Sequence, residues 1–381
     1  MVSTSVARRI RTCCPLSLLL LILFCNRSMG QFAKYSNEFL NIGAGARGMS
    51  MGNAQVASVT DGTGGYWNPA ALADIRTSPQ LNLMHAEYFA GIGKYDFASL
   101  VLPLKDNKRT LGLTLLRFAV DDIPNTVFLV QPDGSIDFSN ITTFSSADYA
   151  FLISLAQQVD WFKNTKTNFG INAKIIHRIA GGFTQSWGFG FDAAMQMVGD
   201  RWKLGIVAKD VTTTFNAWSY NISTEWREVF YATSNDIPSN SIELTAPQLI
   251  PGFSYNFPIN KKISLLAEAD FDITFDGKRN TVISSNPISI DPKMGLELSY
   301  NNVFFVRGGI NNFQQTLDDR DTTNQKKIWI YQPSIGAGFK VGDVEVDYAF
   351  TNLANQSNPL YTNVFSLKVD LVDMKKKPVK K

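Results

Sequence analysis

The chain has 381 residues, a formal net charge of +3 and three cysteines, with 45% hydrophobic and 18% charged side chains. That charge balance does not suggest a nucleic-acid surface. The length is too great for one ordinary water-soluble core, and thiol chemistry is excluded because Cys13, Cys14 and Cys25 all fall in a segment expected to be removed.

Arg8, Arg9 and Arg11 form a positive N-region ahead of the short apolar run 15–24. Small residues Ser28 and Gly30 follow, so residues 1–30 read as a secretory signal peptide cleaved after Gly30. The run is too short for a spanning helix. Bulky Phe24 before Cys25 argues against a lipidated cysteine. Loss of Arg8, Arg9, Arg11 and Arg27 takes the net charge from +3 to −1.

Residues 31–78 carry no strand pattern and are rich in Gly and Ala, with a helical turn expected at Asn68-Pro69-Ala70-Ala71-Leu72. Gly43, Gly45 and Gly48 spell G-x-G-x-x-G, but no strand precedes them and no helix–strand alternation follows. They are expected instead to let an N-terminal plug-like segment bend tightly and pack against a wall.

From Leu81 onward the pattern alternates. Strands are predicted near 81–88, 94–104, 110–120, 148–159, 167–178, 186–197, 201–211, 248–257, 262–272, 292–300, 303–310, 333–340, 343–351 and 363–371. Trp187, Phe189, Phe191, Met195 and Met197 share one face, while Gly188, Gly190, Asp192 and Gln196 share the other. That outer face is too greasy for water and the inner face too polar for a sandwich core. Fourteen such strands, near the length that crosses a bilayer at a tilt, predict an all-β membrane protein: an antiparallel outer-membrane barrel over 79–372.

Connections alternate in length. Short links follow even-numbered strands, and long ones, 121–147, 212–247, 273–291, 311–332 and 352–362, mostly follow odd-numbered strands. Outer-membrane barrels have short periplasmic turns and long external loops, so both ends, including the basic tail 373–381, are expected in the periplasm.

Lumen candidates are Lys174, Arg178, Asp192, Lys209, Glu268, Asp270, Asp272, Glu297, Arg307, Glu345 and Asp347, expected to form ion pairs around the plug. His85 and His177 stand on separate strands without cysteine neighbours, so no metal site is expected. Acidic pairs Asp121-Asp122 and Asp318-Asp319, with Asp321, read as solvated loop residues. No catalytic constellation and no cofactor motif is found, so the protein is read as a non-enzyme.

The run Ile42-Gly43-Ala44-Gly45-Ala46-Arg47-Gly48-Met49-Ser50-Met51-Gly52-Asn53-Ala54, then Asp61 and Trp67-Asn68-Pro69-Ala70, resembles the PorV/PorQ family, whose members are related to FadL-type barrels. The likeness extends over the fourteen strands. Ser50 and Ala71 stand where the family pattern has Gly. The resemblance implies a FadL-like barrel in a Bacteroidetes-type outer membrane with a part in type IX secretion. On that reading it binds secreted cargo at the translocon barrel and passes it to a sortase-like surface protein for release or attachment to lipopolysaccharide. Phe128, Trp218, Tyr220, Trp226, Phe230 and Tyr231 in the predicted loops 121–147 and 212–247 would supply the partner surface. Two alternatives stay open: a FadL-like transporter of hydrophobic compounds, and a structural paralogue that plugs a translocon's side opening.

Overall fold

Apolar and polar residues that alternate with period two put two solvents on opposite faces of a sheet, and the sheet answers by closing. The computed structural model describes residues 31–371 apart from 33–34, 90, 107, 132, 163–164, 319–325 and 352–360. The predicted signal peptide, the basic tail, Asp319 and Asp321 lie outside the described residues.

Fourteen antiparallel strands make the ring: β1 (Gln80–Tyr88), β2 (Gly93–Pro103), β3 (Arg109–Asn125), β4 (Thr142–Phe162), β5 (Thr165–Ala180), β6 (Thr184–Val198), β7 (Trp202–Lys209 and Thr214–Tyr220), β8 (Ser241–Thr245 and Gln248–Pro258), β9 (Ile263–Thr274), β10 (Ser289–Tyr300), β11 (Phe304–Leu317), β12 (Lys327–Val341), β13 (Val344–Thr351) and β14 (Thr362–Asp370). Each pairs with its neighbour in the chain, and β14 pairs with β1 from Asp370 against Gln80 to Asn363 against Glu87. No edge is left for hydrocarbon to strand. Among the described residues no helix is long and apolar enough to cross a membrane; the strands do the crossing.

The outward parity is apolar, as expected. Ile171, Phe191, Val306 and Phe365 are all exposed on the outside of the ring, Val306 at 62%. His177 shares that parity and stacks on Trp187 at 4.0 Å between ring centres, while the outward His85 pairs with Asp96 near the same end.

Several strands run further than the alternation predicts. β3 has 17 residues and β4 has 21, so the loop expected over 121–147 shrinks to 126–141. Backbone pairing continues beyond the hydrocarbon layer, where water wets both faces and the side-chain pattern that marks a strand disappears. The wall is interrupted once on β7. Ala193 of β6 faces Ala208, but Phe189 faces Phe215, so more β7 residues than β6 residues fill the interval. Asp210 and Thr213 take up the extra chain with φ of 54° and 60°.

Candidate functional site

The candidate site is the lumen, where residues 35–79 fold against the inner wall. Short helical turns cover Glu38–Asn41, Ala46–Ser50, Gly64–Trp67 and Pro69–Asp74. The motif residues hold this segment together. Asp61 Oδ1 accepts from the Thr63 amide at 2.8 Å and starts the turn at 64–67. That turn presents Tyr66 and Trp67 back toward the glycine run. Trp67 Nε1 donates to the Ala44 carbonyl at 2.7 Å, and the Gly43 amide donates to the Tyr66 hydroxyl at 3.0 Å. Burial pushes the Tyr66 hydroxyl above its ordinary range, so it stays protonated and donates to the Leu40 carbonyl at 2.8 Å. Gly45 donates its amide to Met84 Sδ. Asn68 caps the last turn by accepting from the Ala70 amide at 3.0 Å, with Pro69 at the first helical position, and its Nδ2 donates to the Val56 carbonyl at 2.8 Å.

Two glycines fix how closely the segment approaches its neighbours. A Cβ on Gly48 would sit 2.9 Å from the Trp67 ring, and one on Gly52 would sit 2.4 Å from the Ile310 nitrogen of β11. Gly52 also has φ of 64°, which side-chain-bearing residues rarely adopt.

The wall answers with charge. Asp270 Oδ2 accepts from the Gln55 and Val56 amides at 2.7 and 2.9 Å, and Glu268 Oε1 accepts from those of Ala57 and Ser58 at 2.7 and 3.1 Å. Two carboxylates therefore satisfy four successive backbone donors. Arg47 reaches Glu297 at 2.8 Å. Glu297 also takes Arg307 at 2.6 Å, and Arg307 reaches Asp347 at 2.5 Å. Beside the β7 interruption, buried Lys174 lies between Asp192, at 2.8 Å, and Asp210. Arg178 pairs with Asp148 at 2.9 Å, and Lys368 with Glu345 at 3.3 Å. Among the described residues no three His, Cys, Asp or Glu side chains gather as a metal site requires.

Charge covers only part of the lumen. Met84, Tyr95, Phe97, Leu116, Leu152 and Ile176 point inward from β1 to β5, and Phe39, Tyr66 and Trp67 pack on them. Leu152 stands between outward Phe151 and Ile153, and Ile176 shares its face with Asn172 and Lys174, so alternation alone could not reveal an apolar inner stripe. Cavities lie on both sides of the segment. A vestibule of about 730 Å³ opens among the upper ends of β9 to β13, with Ile42, Met49 and Asn53 at its floor. A pocket of about 350 Å³ lies at the short-turn end beside Arg47, Asp61 and Glu297.

The predicted loop aromatics divide. Trp218 and Tyr220 belong to β7 rather than to a loop, which corrects the boundary drawn at 212. Trp218 shares the lumen-facing parity with Asn216: its Nε1 donates to Glu243 at 2.7 Å and the Arg178 guanidinium lies over its ring at 5.0 Å. Phe128, Trp226 and Phe230 do gather at the loop end, where Trp226 lies 4.9 Å from Phe183 and 6.3 Å from Phe128 and Phe230. Phe183 was missed because it sits in a three-residue turn. Tyr231 is 71% exposed on the helix Thr224–Ala232.

No family model matches the chain, and no curated protein matches it either. Solved structures do. The toluene transporter TbuX of Ralstonia pickettii is 12% identical with a TM-score of 0.54, over 86% of this chain and 98% of its own. The CymD monoaromatic hydrocarbon channel is 12% identical with a TM-score of 0.53, over 87% and 98%. The toluene transporter TodX of Pseudomonas putida is 13% identical with a TM-score of 0.51, over 86% and 98%. The fold is thus a closed fourteen-strand antiparallel barrel, the fold these three channels share.

Proposed function

We propose that this protein is an outer-membrane barrel that passes hydrophobic compounds inward, without chemistry of its own. The observation that carries this reading is the apolar inner stripe formed by Met84, Phe97, Leu116, Leu152 and Ile176, covered by Phe39, Tyr66 and Trp67 of the N-terminal segment. A lumen that served only to hold a plug by ion pairs would have no use for a greasy track. Displacement of the segment bares that track to a solute entering from the outer mouth. The fold shared with hydrocarbon channels supports the same reading. The test is uptake of a labelled long-chain fatty acid and a labelled monoaromatic compound by cells that lack their own uptake barrel. Uptake restored by the wild type and lost in Leu116→Glu and Leu152→Glu, with normal assembly, supports the proposal. Uptake no greater than in cells without the protein overturns it.

A second reading, cargo binding in type IX secretion, is favoured by one observation besides the motif resemblance. Phe128 and Phe183 cluster at the loop end with Trp226 and Phe230 of the helix Thr224–Ala232. Such a patch suits a protein partner. Affinity purification from mild detergent tests it: recovery of a translocon barrel or of secreted cargo, lost on deletion of 221–240, favours this reading over the first.

A further inference from the structure

The vestibule at the long-loop end differs in chemistry from the apolar stripe beneath it. β11 carries a bulge: Asn311 faces Gln332 of β12, but Gln314 faces Ile330, so the register slips between them. Asn312 takes φ of 52° at the slip. The bulge brings Asn311, Asn312 and Gln314 all to the cavity, and Gln332 lines it from β12. Four carboxamides on one wall offer donors and acceptors side by side.

Other parts of the cavity, on β9, β10 and β13, are lined by Asp272, Thr274, Asp291 and Thr351. The cations nearby are already committed. Lys293 pairs with Asp272 Oδ2 at 2.6 Å, and Arg279 with Asp276 at 2.6 Å. Little positive charge is left to select an anion. A hydrocarbon would leave the carboxamides unmet. Aromatic side chains stand at the rim, with Tyr35 60% exposed and Tyr88 against Phe89 at 4.9 Å.

We propose that this vestibule is a binding site for a neutral, polyhydroxylated ligand, a glycan of roughly three to five sugar units, judged from a volume of about 730 Å³ within the usual range of ligand pockets. Vicinal hydroxyls bridge the carboxamides of Asn311, Asn312, Gln314 and Gln332. The C–H face of a sugar ring rests on the negative face of an aromatic ring at the rim. The glycan is either a free oligosaccharide or the headgroup of a glycolipid; both present the same hydroxyls. The inference stands whether or not the lumen conducts a solute.

The test is calorimetric titration of the whole protein in a sugar-free detergent with maltotetraose, cellotetraose and chitotetraose. In parallel, the protein in lipid nanodiscs is titrated with the same sugars carried on a lipid, and with a Gly-Ser tetrapeptide. Saturable binding of a free sugar assigns a soluble glycan, and binding only of the lipid-borne form assigns a glycolipid headgroup. In either case the double variant Gln314→Ala, Gln332→Ala weakens binding tenfold or more, while Ser285→Ala, outside the cavity, leaves it unchanged. An unaltered heat-unfolding profile of the double variant separates lost contacts from lost fold. No binding of any glycan up to ~10 mM, where an interaction is too weak to be specific, overturns the proposal. So does binding of the peptide alone, or glycan binding that the double variant retains.

Discussion

Arg47 and Glu297 stand 250 positions apart in the chain and meet at 2.8 Å inside the ring. Their contact ties the N-terminal segment to β10, and through Glu297 to Arg307 and Asp347 on the next strands. The segment, continuous with β1 at its end, is thereby also bound to the wall by a charge network.

Arg47→Met removes one end of that network. Loss of one partner of a buried pair costs about 3–5 kcal/mol, and here the lower figure is expected because Arg307 still neutralises Glu297. Hydrogen exchange of the amides in 46–58 should accelerate by about a hundredfold or more, with strand amides unchanged. Unchanged protection of 46–58 would show that the pair does not anchor the segment.

Gly52→Val places a branched side chain against the β11 backbone at a positive φ. Strain at such a φ costs about 1–3 kcal/mol, and overlap with fixed backbone adds about as much again. The barrel should still form, but near-ultraviolet dichroism from Tyr66 and Trp67 should be lost at a lower temperature than in the wild type. A melting curve identical to the wild type would mean that the close approach is not real.

Val306→Arg puts a guanidinium on the outside of the ring, where the side chain is 62% exposed. Arginine on a lipid-facing position costs about 2–4 kcal/mol near the bilayer midplane. Folding into phosphatidylcholine vesicles, followed by denaturant titration, should reveal that loss, whereas Ser285→Arg in a loop should be nearly neutral. Equal stability of the two variants would argue that position 306 does not meet hydrocarbon.

Lys174→Met leaves Asp192 and Asp210 facing each other in a buried site. The uncompensated charge should cost about 3–5 kcal/mol and loosen the β7 interruption. The triple variant Lys174→Met, Asp192→Asn, Asp210→Asn should recover most of that loss in the same unfolding titration. A single variant as stable as the wild type would remove Lys174 from any role in holding the bulge.

How much of this was legible beforehand differs between wall and lumen. The wall was legible because a strand with lipid on one side tolerates almost no polar residue there, so Trp187, Phe189 and Phe191 report their own orientation. The inner charges Glu268, Asp270, Glu297 and Arg307 were legible as lumen residues for the same reason. Lys293 was missed because Pro292 and the neighbouring Asp291 blur the alternation at that end of β10. The inner stripe of Met84, Phe97, Leu116 and Leu152 was missed because a residue such as Leu152, set between outward Phe151 and Ile153, carries no periodic signal. Asn311, Asn312, Gln314 and Gln332 were placed in a loop, since a bulge resets the parity and an Asn-Asn pair reads as a turn.

By itself the amino-acid order determined a closed antiparallel ring with fourteen crossings, because side-chain parity and turn length are local properties of each strand. Only the tertiary structure decided which carboxylate meets which backbone amide, where the wall bulges, and which part of the lumen is greasy. Those outcomes depend on contacts between residues hundreds of positions apart, and no local pattern in the chain encodes them.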